Sequence, residues 1–135
     1  MDLSDAQTAK PDLVALRQAS LTPAPQVVAQ LVETLGPRLV AYIAGVKDSR
    51  TLVNWQDKGE VPYIPARRLQ TVLAAVLTLR QHTTDPQELA AWFTWMTDAL
   101  DDASPAGYLR GAEDDEAVEI RSRAVLAAAR SYLME

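Results

Sequence analysis

Three polar side chains in the middle of the chain have types and spacing that suit the recognition of nucleic acid. Arg50, Asn54 and Lys58 follow one another at intervals of four residues, so they share one face of a helix. Arginine and asparagine form paired hydrogen bonds with base edges in the major groove, and lysine binds phosphates. Arg38 and Lys47 lie just upstream and add cations for the phosphate backbone. The spacing therefore predicts a DNA-binding surface built from these five residues.

A helix-turn-helix is needed to present these side chains, and residues 39–62 predict one. Ala41 and Gly45 stand four residues apart. A small residue lets the two helices cross closely, and glycine accepts the positive φ of a sharp turn. Asp48 or Ser49 is then expected to cap the second helix by accepting a hydrogen bond from its free backbone amides.

The second helix of this motif also has an inward face. Leu52 and Trp55 are expected to point into the protein, and Gly59 and Pro62 end the helix. A longer helix that starts at Pro65 is apolar over more than one face, so it is expected to be the central helix of the fold.

The whole chain has the pattern of an all-α protein. Apolar residues recur at helical spacing, and no alternating stretch indicates a strand. With 135 residues and 48% hydrophobic content, the chain has enough apolar material for a compact multi-helix core. We expect a flexible N-terminal arm at residues 1–24, a helix-turn-helix domain at residues 25–81 and a C-terminal helical region at residues 82–135.

Residue types that support catalysis or metal binding are scarce. The chain has no cysteine, and its one histidine, His82, has no carboxylate or second histidine at ligand spacing, which predicts a surface loop residue. The sequence has no glycine-rich phosphate loop and no nucleophile elbow. We therefore expect a protein that is not an enzyme and that has no catalytic, cofactor or metal site.

The net charge of −5 is distributed unevenly along the chain. Residues 36–81 carry 7 basic and 3 acidic side chains, whereas residues 82–135 carry 4 and 11. A basic middle suits nucleic acid, and an acidic end suits a protein partner with a basic cleft. The carboxylates of residues 113–119 fit such a partner, and they equally fit the positive end of a helix dipole. The sequence shows no signal peptide or membrane span, so a cytoplasmic protein is expected.

Two helices with defined starts are predicted in the C-terminal region. Asp85 and Pro86 begin the first helix, whose apolar stripe is expected to pack in the core rather than stack on a ligand. The stripe consists of Leu89, Trp92, Phe93, Met96 and Leu100. Ser104 is expected to cap the second, short helix, which ends at Gly111.

Two separated stretches resemble the antitoxins of the Xre/MbcA/ParS group, which are small all-helical bacterial proteins. The first is residues 41–62, and the second comprises AAWF, ALDDASPAGYLRGA and the closing AAARSYL. Family members share a Trp-containing helix, a Ser/Thr-Pro helix start and a Leu followed by Gly before the last helix. The chain departs from the pattern at Leu52, at residues 100–103, and at residues 113–116, where an additional acidic cluster follows the helix end at Gly111. Leu52 comes one position later than the motif's apolar residue, which predicts a longer turn, and residues 100–103 replace a loop that usually carries glycines.

The resemblance implies an antitoxin that binds and neutralises a partner toxin, such as a RES-type toxin that consumes NAD, and that regulates its own operon. The implied toxin contacts lie in the C-terminal region, at Trp92, Asp101, Asp102, Ser104, Tyr108, Arg110 and Glu113. A homodimer is expected because a single helix-turn-helix makes few contacts with operator DNA. The alternative is a stand-alone DNA-binding transcriptional regulator that dimerises through its C-terminal helices and has no toxin.

Overall fold

The computed structural model describes residues 11–134, with side chains from Val14 onward. These residues form eight α-helices and one short 3₁₀ helix, Asp98–Leu100, and no strand, so the all-α prediction is confirmed. The helices are α1 (Pro11–Leu21), α2 (Ala24–Leu35), α3 (Pro37–Ala44), α4 (Arg50–Lys58), α5 (Tyr63–Leu79), α6 (Pro86–Thr94), α7 (Pro105–Arg110) and α8 (Asp115–Leu133).

Capping side chains fix the starts of the three C-terminal helices. Asp85, Ser104 and Asp114 each accept a hydrogen bond of 2.8–3.0 Å from a backbone amide in the following first turn. Such a cap contributes about 1 kcal/mol because the first amides of a helix have no partner within it. The predicted caps at Asp85 and Ser104 are confirmed.

The long helix α5 forms the centre of the fold, as its apolar pattern predicted. Residues 71–76 are all buried, and six consecutive residues cover every side of a helix, so α5 has neighbours all round. Helices α1, α2, α3 and α8 pack against it. It begins at Tyr63 rather than at Pro65, because a proline in the first turn of a helix sacrifices no hydrogen bond.

Helix α1 lies within the segment that was predicted to be a flexible arm. Ala15 and Ala19 are buried, and the helix packs against α5 and α8. The sequence gives little sign of this packing, because alanine side chains produce a weak amphipathic pattern. Residues 1–10 of the predicted arm lie outside the described residues.

Arg68 of α5 is a buried cation that joins two distant parts of the chain. Its NH1 donates to the carbonyl of Ala44 at 2.9 Å, while Nε and NH2 donate to the carbonyl of Ala112 at 3.0 and 2.7 Å. Ala44 ends α3, and a carbonyl at a helix end has no partner within the helix and carries the negative end of its dipole. Burial lowers the pKa of Arg68, which nevertheless stays charged at neutral pH.

Gly45 follows α3 and is constrained in two ways. Its φ of +85° lies in the left-handed region that glycine accepts, as the sequence predicted. In addition, a Cβ at this position would lie 2.8 Å from NH1 of Arg68. The turn after α3 therefore depends on glycine for its conformation and for the space that the guanidinium occupies.

We predict that Gly45→Ala lowers the free energy of unfolding by about 2–4 kcal/mol, as measured by urea denaturation. About 1–2 kcal/mol comes from the left-handed backbone, and the remainder comes from displacing a charge-assisted hydrogen bond to the carbonyl of Ala44.

Gly59→Ala is the matched control, because Gly59 also has a left-handed φ, of +71°, but nothing lies within 4 Å of its Cβ position. It is expected to cost about 1–2 kcal/mol, the contribution of the left-handed backbone alone. In an Arg68→Met background the excess cost of Gly45→Ala over Gly59→Ala is expected to disappear. An unchanged excess in that background contradicts the coupling of Gly45 to Arg68.

Candidate functional site

The segment predicted to be a helix-turn-helix forms α3, a turn at residues 45–49 and α4. Leu52 is only 1% exposed and Trp55 is half-buried, so both point inward as predicted. Helix α4 packs mainly against α2, and its direct contact with α3 is minor. A helix-turn-helix requires its two helices to pack on each other. The order of elements agrees with the motif, and the helix-turn-helix itself stays a prediction.

The outward face of α4 carries the three predicted DNA-reading side chains. Arg50, Asn54 and Lys58 are all exposed on it. Val53 and Asp57 are exposed between them, so the face combines cations with a carboxylate and an apolar side chain. This mixture weakens the attraction to phosphate that a reading helix uses.

Arg50 also has a partner within the chain. Its guanidinium lies 2.7 Å from the carboxylate of Asp48, which accepts a second hydrogen bond from the Arg50 amide at 2.8 Å. These hydrogen bonds lower the pKa of Asp48 and raise that of Arg50. Asp48 therefore binds the first backbone amide of α4 as predicted, while Ser49 occupies the N-cap position without a side-chain hydrogen bond to the helix. Both side chains are exposed, so the ion pair contributes little stability and leaves Arg50 accessible.

The remaining cations of residues 36–81 do not form one patch. Arg68 is buried, Arg80 donates to Thr34 at 3.1 Å, and Arg67 lines a cleft between α5, α1 and α8. Arg38 and Lys47 line a groove beside the turn that follows α3. Two of the predicted DNA-binding residues, Arg38 and Lys47, therefore share a groove whose lining contains no residue of α4.

Two of the predicted toxin contacts have structural roles in the described chain. Trp92 is 8% exposed, and its ring meets the ring of Phe93 edge-on at a centroid distance of 5.0 Å. Ser104 accepts the hydrogen bond that caps α7. A partner can reach Trp92 only where it lines a surface cleft.

Tyr108 and Arg110 also serve as internal contacts, through a pairing that occurs twice. The Arg110 guanidinium lies 4.6 Å from the centre of the Tyr42 ring, and its NH1 donates to the carbonyl of the same residue at 2.6 Å. Arg121 does the same with Tyr108, at 4.8 Å from the ring and 2.8 Å from the carbonyl. Arg110 thereby ties α7 to α3, and Arg121 ties α8 to α7.

Asp101 and Asp102, also predicted toxin contacts, are exposed and have unusual backbone conformations. Their φ values are +56° and +64°, in the left-handed region where a side chain costs about 1–2 kcal/mol. This explains why glycines suit the loop. The turn is closed by a hydrogen bond of 3.1 Å from the Thr97 amide to the Ala103 carbonyl. Within the described chain, neither carboxylate has a hydrogen bond or ion pair.

The acidic run at residues 113–119 serves the fold. Asp114 caps α8, Asp115 accepts a hydrogen bond from the Tyr63 hydroxyl at 3.0 Å, and Glu119 pairs with Arg123 at 2.8 Å. The bond to Asp115 raises the pKa of Tyr63. Glu113, the last of the predicted toxin contacts, is exposed. Of the two interpretations of this run, the helix N-terminus accounts for most of its carboxylates.

Trp95 and Met96 are exposed residues that the sequence did not identify. The sequence placed Met96 in the core, which is wrong: Met96 is 78% exposed and Trp95 is 55% exposed. Helix α6 ends at Thr94, and Trp95 is extended, so helical spacing no longer applies to Met96. The residue in the sequence that indicates a break after α6 is Thr97. Its side chain accepts a hydrogen bond from the Ala99 amide and caps the start of the 3₁₀ helix.

The loop at residues 95–103 therefore presents two apolar side chains and two carboxylates without partners in the described chain, and we call it the Trp95 loop. Trp95 and Met96 line a cleft of about 290 Å³. Trp92, Pro105 and Tyr132 complete its apolar lining. Thr97 and Ser131 add hydroxyl groups to the lining, and a cleft of such mixed character beside exposed aromatic and methionine side chains is typical of a protein-binding surface.

His82 is exposed, as the sequence predicted, and its ring meets Tyr132 edge-on at 5.1 Å. Among residues 11–134, no three histidine or carboxylate side chains are grouped so that they could hold a metal ion. None of the helices in the described part of the chain has the length and apolar character needed to cross a membrane.

Comparison with known proteins gives no relative. No protein-family model matches the chain, and no curated protein or solved structure matches it either. The resemblance to the Xre/MbcA/ParS antitoxins therefore stays a prediction.

We predict that Asp101→Gly and Asp102→Gly each raise the free energy of unfolding by about 0.5–1 kcal/mol, because glycine adopts a positive φ without strain. Urea denaturation measures the change. Asp98→Gly is the control, since Asp98 is exposed in the 3₁₀ helix and has no positive φ, and it is expected to lower stability. If Asp101→Gly and Asp102→Gly both lower the free energy of unfolding, the positive φ values of Asp101 and Asp102 are not a source of strain.

Proposed function

We propose that the protein is a non-enzymatic antitoxin of a type II toxin–antitoxin pair, and that it binds its toxin through the Trp95 loop. The supporting observation is that the exposed pair Trp95 and Met96 lies in the same loop as Asp101 and Asp102, whose carboxylates have no hydrogen bond or ion pair among residues 11–134. A loop that holds these side chains at a cost in backbone strain is better explained by binding than by folding. The resemblance of the C-terminal region to the antitoxin family supports the same surface.

The apolar part of the loop provides anchoring contacts. Tryptophan carries an unusually large share of binding energy at protein interfaces, and methionine adapts to irregular partner surfaces. The cleft behind Trp95 and Met96 admits a side chain of the toxin against the ring of Trp92. Binding in this place covers apolar surface that is exposed in the free chain.

The acidic part of the loop provides steering and orientation. Residues 82–135 carry 11 acidic and 4 basic side chains, and three of the carboxylates at the start of α8, those of Asp114, Asp115 and Glu119, already have internal contacts. Asp101 and Asp102 remain for a partner. A toxin that uses a nucleotide substrate has a basic cleft, and carboxylates accelerate association with such a cleft.

The second candidate is a stand-alone DNA-binding regulator. The antitoxin proposal includes DNA binding as well, since a dimer of the antitoxin regulates its own operon. The exposure of Arg50 and Asn54 on one face of α4 favours the regulator. Asp57 on the same face opposes it. The Trp95 loop has no role in this alternative, so the antitoxin is the better supported function.

Co-expression with the product of the adjacent reading frame tests the proposal. The two proteins are expected to co-purify, and the chain is expected to restore growth that the partner alone suppresses. Trp95→Ala is predicted to weaken the complex by about 2 kcal/mol, roughly 30-fold in Kd, because it removes an aromatic anchor. Isothermal titration with the purified partner measures the change.

Ile120→Ala is the matched control, because Ile120 is 58% exposed on α8 and does not line the cleft. It is expected to bind like the unmodified chain. A complex that tolerates Trp95→Ala as well as Ile120→Ala rules out the Trp95 loop as the toxin-binding surface. If no complex forms at all and the chain binds DNA in a salt-sensitive manner, the stand-alone regulator is the correct function.

A further inference from the structure

A groove beside the turn after α3 collects cations from both halves of the chain. Arg38 comes from the first turn of α3, Lys47 from the turn, and Arg110 from the end of α7. The groove has a volume of about 590 Å³, and Tyr42 and Val46 form part of its lining. We call it the cationic groove. The sequence had assigned Arg38 and Lys47 to DNA and Arg110 to a toxin, and the fold brings the three together.

The positive charge of the cationic groove is not neutralised within the described chain. No hydrogen bond or ion pair joins Arg38 or Lys47 to another described residue. Asp48 is the one carboxylate in the lining, and Arg50 already binds it at 2.7 Å. Three cations therefore border an open groove whose one carboxylate has its own partner.

Arg110 is fixed in an orientation that leaves donors for a ligand. One of its N–H groups is occupied by the carbonyl of Tyr42, and the Tyr42 ring supports the guanidinium plane. A guanidinium has five N–H donors, so others remain. A guanidinium that is held in place loses little conformational entropy when it binds an anion.

A second guanidinium lies behind the same turn. Arg68 approaches Gly45 from the protein interior, and a Cβ added at Gly45 would lie 2.8 Å from its NH1. Burial lowers the pKa of Arg68, the charge of Glu113 raises it, and the charge of Arg110 lowers it again. Arg68 and Arg110 therefore repel each other across the end of α3, and an anion in the groove relieves this repulsion.

We propose that the cationic groove binds phosphate groups, presented either by a nucleic-acid backbone or by a free phosphorylated molecule. Arginine binds phosphate oxygens through paired N–H groups, and lysine adds a point charge. No residue of α4 lines the groove, so this site is distinct from base reading by Arg50 and Asn54. It is also independent of toxin binding by the Trp95 loop.

Two probes distinguish the sources of phosphate. The full chain is titrated into a labelled DNA duplex of about 20 base pairs, followed by fluorescence anisotropy at several salt concentrations. Inorganic pyrophosphate is titrated separately by calorimetry. Binding of the duplex alone identifies a nucleic-acid backbone as the source, and binding of pyrophosphate identifies a free phosphate. Failure of both probes to bind at low salt overturns the proposal.

Lys47→Gln and Arg38→Gln are the test variants, because neither side chain has a hydrogen bond or ion pair with another residue of the described range 11–134. Each is expected to raise the Kd of the probe that binds by about three- to tenfold. With DNA, each is also expected to reduce the slope of log K against log salt concentration by about one. Arg110→Gln is expected to weaken binding as well, and its thermal melt shows whether it is folded at the assay temperature.

Arg17→Gln is the matched control, since Arg17 is an exposed arginine on α1 outside the groove. It is expected to bind within twofold of the unmodified chain. A second variant, Lys58→Gln, tests the outward face of α4. If it lowers the affinity for the duplex as much as Lys47→Gln does, phosphate binds to that face and the assignment to the groove is wrong. Toxin binding by Lys47→Gln is measured in parallel and is expected to be unchanged, so the two proposals fail separately.

Discussion

The hydrogen bonds of the buried Arg68 guanidinium hold the end of α3 and the connection between α7 and α8 against the central helix α5. The guanidinium spans the carbonyl that ends α3 and the carbonyl of Ala112 before α8, and it leaves no space for a side chain at Gly45. Each carbonyl would otherwise lack a partner, which costs about 1–3 kcal/mol per buried group. The end of α3 and the connection between α7 and α8, which are distant in sequence, are therefore held by one side chain of the central helix.

Arginines bound to carbonyls near helix ends are a recurring device in this protein. Arg110 binds the carbonyl of Tyr42 near the end of α3, and Arg121 binds that of Tyr108 near the end of α7. The result is that the six-residue helix α7 positions both candidate surfaces. The Trp95 loop leads into its start, and Arg110 at its end borders the cationic groove.

The helices could be predicted from the sequence because prolines, glycines and capping side chains mark their ends, and because periodicity identifies inward residues such as Leu52. The exposure of Met96 was missed, since α6 ends at Thr94 without a glycine or proline, and the cap at Thr97 is the one local sign of the break. Arg68 gave no signal, because its partners lie 24 and 44 residues away. The grouping of Arg110 with Lys47 depends on the same long-range packing, so the groove is visible only in the folded chain.

Amide hydrogen exchange of Arg68→Lys tests most directly whether this guanidinium holds the two halves of the chain together. Lysine keeps the charge, but a single ammonium group does not span the carbonyls of Ala44 and Ala112 as the fork of arginine does. Because Arg68 holds both segments, the backbone amides of the turn at residues 45–49 and of the start of α8 are expected to exchange faster in Arg68→Lys than in the unmodified chain. Faster exchange in only one of these segments, or in neither, would show that Arg68 does not hold the two segments together.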